Sequence, residues 1–266
     1  VNSSMKMNFS SFTIHIIEGY ISSIYLVEYD NRILLLDSGC FNDVKRIEDY
    51  CRHVVNRPVS DIKLAVVSHM HPDHAGGAAT LRSKYGTTIA AHKDVDRWYS
   101  GMGGLLQHKL DFYMALGVAR TNKRNRERLR FNPIIHPDIL LNDLQVLPFF
   151  EDWAVLHTPG HTLHDIVLYH QQEALLYIGD IICDVKGKML LPLPVLFPTH
   201  MENSYDKLAT LNSSTILMAH GGVKQPENVS SLFLNMKEQL NQPPNSLMRR
   251  VYRLSVFTPE IKRQGM

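Results

Sequence analysis

The stretch Ser68-His69-Met70-His71-Pro72-Asp73-His74-Ala75-Gly76-Gly77 constrains this chain more than any other. It gathers three imidazoles and a carboxylate directly after the apolar run Ile62-Lys63-Leu64-Ala65-Val66-Val67. The run reads as a buried strand, and loops at strand ends are where a rigid scaffold presents chemistry. His69 and His71 stand two apart, so on extended backbone their side chains point the same way. Pro72 ends the strand, which lets Asp73 and His74 turn toward a second position nearby. Gly76 and Gly77 permit close backbone packing just after these groups. Neutral imidazole with carboxylate is a donor set for divalent zinc, iron or manganese. The bland alternative is a solvated loop that happens to be rich in histidine.

Three later segments repeat the pattern of a short apolar strand ending in a ligand-type residue beside glycine. Trp153–His157 runs into Thr158-Pro159-Gly160-His161-Thr162, Ala174–Ile178 into Gly179-Asp180, and Thr215–Ala219 into His220-Gly221-Gly222. Alone, each of these residues reads as structural. Together with the first loop they make His69, His71, Asp73, His74, His161, Asp180 and His220. That set exceeds the four ligands usual for one zinc and suits two metals with a bridging carboxylate. Asp37, at the end of Arg32–Asp37 and followed by Ser38-Gly39, either supports such a site or serves as a turn former or helix cap. His164 and His200 are weaker candidates for a proton donor.

The surrounding pattern is mixed α/β. Phe12–Ile17, Ile24–Tyr29 and Arg32–Asp37 read as strands, the last two joined by a tight turn at Asp30-Asn31. Asn42–Asn56 carries a helical stripe of Val44, Ile47, Cys51, Val54 and Val55, with Asn42 or Asp43 as its cap. Ala78–Tyr85 reads as a short helix closed by Gly86, and Thr87–Ala91 as a strand. From Lys93 to about Asn132 the rhythm breaks. Leu105, Leu106, Leu110, Tyr113 and Met114 lie at helical spacing, and Arg120, Lys123, Arg124, Arg126, Arg128 and Arg130 crowd behind them. We expect a helical insert at about 93–132 in a single domain spanning 1–266. Its stripe would lie over the site, and its basic run is either a solvated helix face or a contact for an anionic substrate. Strands return at Leu144–Leu147, Trp153–His157, Ile166–Tyr169 and Ala174–Ile178. Glu227–Asn241 reads as a late helix, and Arg249, Arg250 and Arg253 in the tail are expected to face solvent.

Composition adds bounds rather than a function. A formal net charge of +2 selects no partner, and 44% apolar with 20% charged residues is ordinary for a soluble domain. The apolar stretch Met189–Phe197, broken by Pro192 and Pro194, is too short to span a bilayer. Cys40, Cys51 and Cys183 are scattered, which argues against a disulfide framework and for a reducing compartment. The expected location is cytoplasmic, with a periplasmic or secreted one after removal of a signal as the alternative. The expected partner is a small-molecule substrate, without nucleic acid or membrane. The assembly state is open, a homodimer being one option.

The full set resembles the metallo-β-lactamase superfamily from about Phe12 to His220. The likeness is carried by Asp37-Ser38-Gly39, the HxHxDH of His69–His74, the TPGHT around His161, the GD of Asp180 and the HG of His220. It implies an αβ/βα four-layer sandwich with the metals at one edge. It implies two divalent ions, most simply zinc, with iron or manganese as alternatives. His69, His71 and His161 would hold the first and Asp73, His74 and His220 the second. Asp180 would bridge them, and Asp37 would stand behind the ligands. The implied activity is hydrolysis of a carboxylic ester, lactone or thioester by a hydroxide shared between the metals, with Asp73 orienting it and taking its proton. Alternatives on the same scaffold are a mononuclear iron dioxygenase acting on a thiol or persulfide, a phosphodiester or phosphotriester hydrolase, and a non-catalytic metal-binding protein. The bridging Asp180 is unlike the antibiotic-degrading members. Cys183 stands where one type of lactonase places a tyrosine.

Overall fold

Strand after strand in this chain is apolar on both faces, so each sheet must be covered on both sides. The computed structural model describes residues 5–129 and 131–256. One sheet contains β1 (Lys6–Asn8), β2 (Thr13–Glu18), β3 (Ser23–Glu28), β4 (Ile33–Leu36), β5 (Ile62–Val67), β6 (Thr88–His92) and β7 (Ile139–Leu141), in that spatial order. Its β1-to-β4 pairings are antiparallel and its β4-to-β7 pairings parallel. The second sheet is built from β8 (Val146–Leu147), β9 (Phe150–His157), β10 (Ile166–His170), β11 (Leu175–Tyr177), β14 (Thr215–Met218) and β15 (Gly222–Lys224). A separate hairpin joins β12 (Cys183–Val185) to β13 (Lys188–Leu190).

Period-two alternation sorts the core into layers. Leu34, Leu36, Leu64 and Val66 point toward the second sheet and meet Trp153, Val155, Leu168, Leu175 and Tyr177. Their neighbours Ile33, Leu35, Ala65 and Val67 point the other way, under α1 (Asp43–Tyr50) and α3 (Ala78–Tyr85). Leu176, Ile216 and Met218 leave the second sheet's outer face and pack on α5 (Pro198–Ala209) and α6 (Val229–Leu240) through Met201, Tyr205, Phe233 and Met236. Helix, sheet, sheet and helix are thus the four layers of an αβ/βα sandwich.

Several boundaries differ from the sequence reading for physical reasons. The helix expected over Asn42–Asn56 is α1 plus a π-helical turn at Cys51–Val55, closed by Asn56 in left-handed backbone. Asn42 holds the cap position without a side-chain cap bond, while Asp43 is buried and accepts from the Tyr20 and Cys40 amides. The insert contributes a 3-10 turn at Val95–Arg97 and one α-helix, α4 (Gly101–Thr121), and residues 122–129 carry no helix, so Lys123, Arg124, Arg126 and Arg128 do not form a helix face. Arg130 lies outside the described residues. The strands β1, β7, β12, β13 and β15 are too short to show a period and exist because a neighbouring edge pairs with them. The tail folds as α7 (Ser246–Leu254), capped by the Asn245 side chain, with Met248, Val251 and Tyr252 buried and Arg249, Arg250 and Arg253 exposed as expected.

Candidate metal centre

The parallel strands β4 and β5, and likewise β11 and β14, run in the same direction and carry their C-terminal loops to one edge of the sandwich. The short helix α2 (Pro72–Ala75) begins at His71, whose backbone is still extended. That change of backbone at Pro72 carries Asp73 and His74 to a second group of donors beside the first, with the His74 ring 4.1 Å from that of His69 between centroids. Gly179 takes a positive φ of 50°, and a Cβ there would come within 3.0 Å of Ser68 Oγ, so glycine is what lets Asp180 enter between the two loops.

All the ligand-type residues singled out from sequence meet here, in two groups. His69, His71, His161 and Asp180 form one, and Asp73, His74 and His220 the other, each with its donor atoms within 4.8 Å of one another. Oδ2 of Asp180 lies 3.8 Å from His69 Nε2 and 3.7 Å from His161 Nε2. Its Oδ1 lies 3.2 Å from His74 Nε2 and 3.5 Å from His220 Nε2. One carboxylate thus faces both groups with different oxygens. His71 enters the first group through Nδ1, which stands 3.0 Å from His69 Nε2 and 3.0 Å from His161 Nε2. Asp73 Oδ2 lies 3.0 Å from His220 Nε2.

The chemistry of this donor set fits divalent metal. Asp180 Oδ1 and His74 Nε2 are buried and make no hydrogen bond, although native proteins rarely leave such atoms unpaired. Imidazole nitrogens packed this closely cannot all be protonated. Burial and the neighbouring imidazoles hold His69 well below the usual range, and burial and His71 push His161 down to about 4, so both offer lone pairs at neutral pH. Burial also opposes charge on His74 and His220, but the carboxylates outweigh it, chiefly Asp180 and Asp73, and both histidines are raised. Burial would lift Asp73 and Asp180, and the histidines reverse it, so both carboxyls stay ionised.

Asp37 supports the second group. Its Oδ2 accepts from His74 Nδ1 at 2.5 Å and from Ser68 Oγ at 2.7 Å, its Oδ1 accepts from the Ser68 amide at 2.6 Å, and the Tyr177 hydroxyl donates to it as well. His74 Nε2 is thereby directed at Asp180. His164 is not available as an acid, because its buried Nε2 accepts from the Met70 amide at 2.9 Å. His200 is exposed on α5 and does not line the cleft over the centre. Sequence reasoning missed Ser68 and Tyr177 as partners of Asp37, and Tyr99, Gln107 and Asp111 beside His71, because contacts of that separation leave no local pattern.

A cleft of about 1410 Å³ opens onto His71, Asp73, Asp180 and His220. The insert walls it with Leu110, Tyr113, Met114 and Val118, and α7 and the β12–β13 hairpin close the other side. The expected apolar stripe of the insert is found in part: Leu110, Tyr113 and Met114 face the cleft, Leu106 is 59% exposed and does not, and the buried face of the helix is Gly104, Gln107, Asp111, Ala115 and Ala119. Cys183 lines the cleft but belongs to neither ligand group, and burial holds its thiol protonated.

A family model described as the metallo-β-lactamase superfamily matches residues 17–220. The chain belongs to the metallo-β-lactamase superfamily. Relatives include the probable metallo-hydrolase YqjP of Bacillus subtilis, 25% identical over an alignment of 222 residues that covers 74% of this chain and 66% of that protein. The acyl-coenzyme A thioesterase MBLAC2 of Gallus gallus is 28% identical over an alignment of 193 residues that covers 66% of this chain and 62% of that protein. The chain spans just under two thirds of the length of either relative. Among solved structures, a metallo-β-lactamase superfamily protein of Sulfolobus tokodaii superposes with a TM-score of 0.61 at 15% identity, covering 95% of this chain and 98% of that one. This superfamily of metallo-hydrolases accounts for the four layers and for the single edge at which the ligand-type residues meet.

Proposed function

We propose that this superfamily member is a dinuclear metal-dependent hydrolase that cleaves a carboxylic ester, lactone or thioester of a small molecule, an anionic acyl thioester first among these. The observation that carries the reading is Asp180, whose two oxygens face two separate histidine groups. His69, His71 and His161 would hold one ion and Asp73, His74 and His220 the other, with Asp180 between them. Zinc suits this donor set best. When bound, the metals lower the pKa of water and polarise the carbonyl under attack. Asp73 opens onto the cleft and stays ionised, so it can orient the attacking water and take its proton.

The cleft supports the choice of substrate. It exceeds the roughly 300–1,000 Å³ typical of small-molecule pockets, and much of its wall is aliphatic, which suits an acyl chain. Asp73, Asp111 and Asp180 put the negative charge of the lining at the metal centre, and away from it the charges are unbalanced toward positive. Glu18 pairs with Arg124, and Asp184 with Lys224. Arg120, Lys186 and Arg250 line the same cleft without an ion-pair partner among the described residues. They come from α4, the hairpin turn and α7, and would favour a substrate with negative charge away from the acyl group. The named activity of the Gallus gallus relative agrees with that choice.

The test is a metal count on purified protein followed by a panel of lactones, esters, phosphoesters and thioesters, the last including one neutral and one polyanionic carrier of the same acyl group. Two metals per chain and turnover of thioesters above the other classes are expected. One iron per chain with oxygen consumption on a persulfide, or turnover confined to phosphoesters, overturns the reading.

A further inference from the structure

Asp111 is a carboxylate buried in the insert that has no place in either ligand group. It is 3% exposed and sits in the middle of α4. Burying an ionised carboxylate is costly unless donors hold it, and a helix that only walled a pocket would carry an aliphatic residue here. Its donors are specific. Gln107 Nε2 donates to Oδ1 at 2.8 Å, and the Tyr99 hydroxyl shares its single proton between Oδ2 at 2.8 Å and the Met70 carbonyl at 2.7 Å. Ser255, just past α7, donates to Gln107 Oε1 at 3.1 Å, which turns the amide nitrogen of Gln107 toward Asp111. The approach is close, since a Cβ at Gly104 would fall 2.1 Å from the Tyr99 carbonyl carbon.

The remaining direction of Oδ2 leads to the metal centre. His71 Nε2 lies 3.4 Å from it and has no hydrogen-bond partner, although it is buried. The other nitrogen of that ring is the one that faces His69 and His161. An imidazole that offers a lone pair at Nδ1 must carry its proton on Nε2, and the carboxylate facing that proton is Asp111.

We propose that Asp111 is a positioning residue of the metal centre, accepting the Nε2–H of His71 so that the ring presents the Nδ1 lone pair to the first metal. The proposal rests on the dinuclear reading above. It makes the insert a structural part of the centre rather than a cover laid over it, with Tyr99 and Gln107 holding Asp111 in turn. Removing such an outer partner typically lowers metal affinity 10–100-fold.

The experiment compares wild type with Asp111→Asn, Asp111→Ala and Tyr99→Phe. Metal per chain is measured after equilibration with a graded zinc chelator, and the visible spectrum after cobalt substitution. Thermal unfolding of each metal-free protein is measured alongside. Wild type is expected to hold two ions. Both Asp111 variants should lose one of them at about 10–100-fold lower chelator concentration, with a changed cobalt spectrum and the other ion retained. Tyr99→Phe, which leaves the carboxylate in place, should give a smaller shift in the same direction. Variants that unfold earlier when metal-free yet hold both ions as tightly as wild type would show that Asp111 only supports the fold, and overturn the proposal. If Asp111→Ala does not fold, Asp111→Asn and Tyr99→Phe decide the matter alone. Wild type that binds no metal would refute the dinuclear reading itself, a different failure from wild-type affinity in the variants.

Discussion

His74 donates from Nδ1 to Asp37 across 2.5 Å, and the backbone of Asp37 adopts a left-handed φ of 61° to make the contact. Both side chains are almost wholly buried, so the pair is isolated from water. Asp37→Ala would strand the ring nitrogen of His74, the Ser68 hydroxyl and the Tyr177 hydroxyl at once. Breaking a buried pair from one side costs about 3–5 kcal/mol. We expect a loss of that order in denaturant unfolding, together with weaker retention of one metal. Unchanged unfolding would mean that water or a neighbour satisfies these donors.

Asp180→Ala addresses the bridge. The sandwich core lies away from this residue, so the variant should fold while metal content and activity fall sharply. Full metal loading with full activity would remove Asp180 from the bridging role.

Metal uptake should become tighter with rising pH. His71, His74 and His220 are raised by their carboxylate neighbours against the opposing effect of burial, so at neutral pH the metal-free centre carries protons that an incoming metal must displace. His69 and His161 are lowered and give up none. In the metal-free protein, the stabilisation from the raised histidines is complete below their unfolded pKa near 6.5 and is lost as pH rises through their folded values. The gap in Tm between metal-loaded and metal-free protein should therefore widen upward from about pH 6.5. Calorimetry in buffers of different ionisation enthalpy would count the protons released, and zero release at pH 7 would contradict this account.

The cationic lining, to which the basic run contributes Arg120, can be separated from the rest of that run. Arg126 and Arg128 are exposed and do not line the cleft, whereas Arg120 and Arg250 do. Arg120→Glu with Arg250→Glu should raise KM for a polyanionic thioester on the order of fivefold to tenfold at low salt, an effect that shrinks as salt is added. Arg126→Glu with Arg128→Glu should leave KM as it was. Equal effects from both pairs would point to long-range charge rather than to the cleft.

The cobalt-substituted protein should show no thiolate-to-metal charge-transfer band. The ligand groups contain no sulfur, and the Cys183 thiol is held protonated by its burial. Appearance of such a band would place Cys183 in the centre.

Much of this protein was determined by local sequence. The four layers follow from strands apolar on both faces, and the ligand-type residues were legible because they stand just past strand ends in short segments that contain glycine or proline, where short-range backbone rules apply. The sequence also marked 93–132 as a break in the strand–helix rhythm. It did not show which face of the insert is buried. The leucines and Tyr113 suggested an apolar underside, yet Gln107 and Asp111 lie underneath, because hydrogen bonds from Tyr99 and Ser255 and the reach toward His71 repay their burial. Only the tertiary structure made that choice, since the groups involved are scattered from His71 to Ser255. The cationic lining was decided in the same way. A run of arginines is conspicuous in sequence, but among the described residues it gives the cleft only Arg120 and the Glu18-paired Arg124, while Lys186 of the β12–β13 turn and Arg250 of α7 come from elsewhere in the chain. Periodicity reports what a residue's neighbours in sequence require of it. Which side chain stabilises a buried charge depends on groups far apart in the chain, and these meet only when the fold closes.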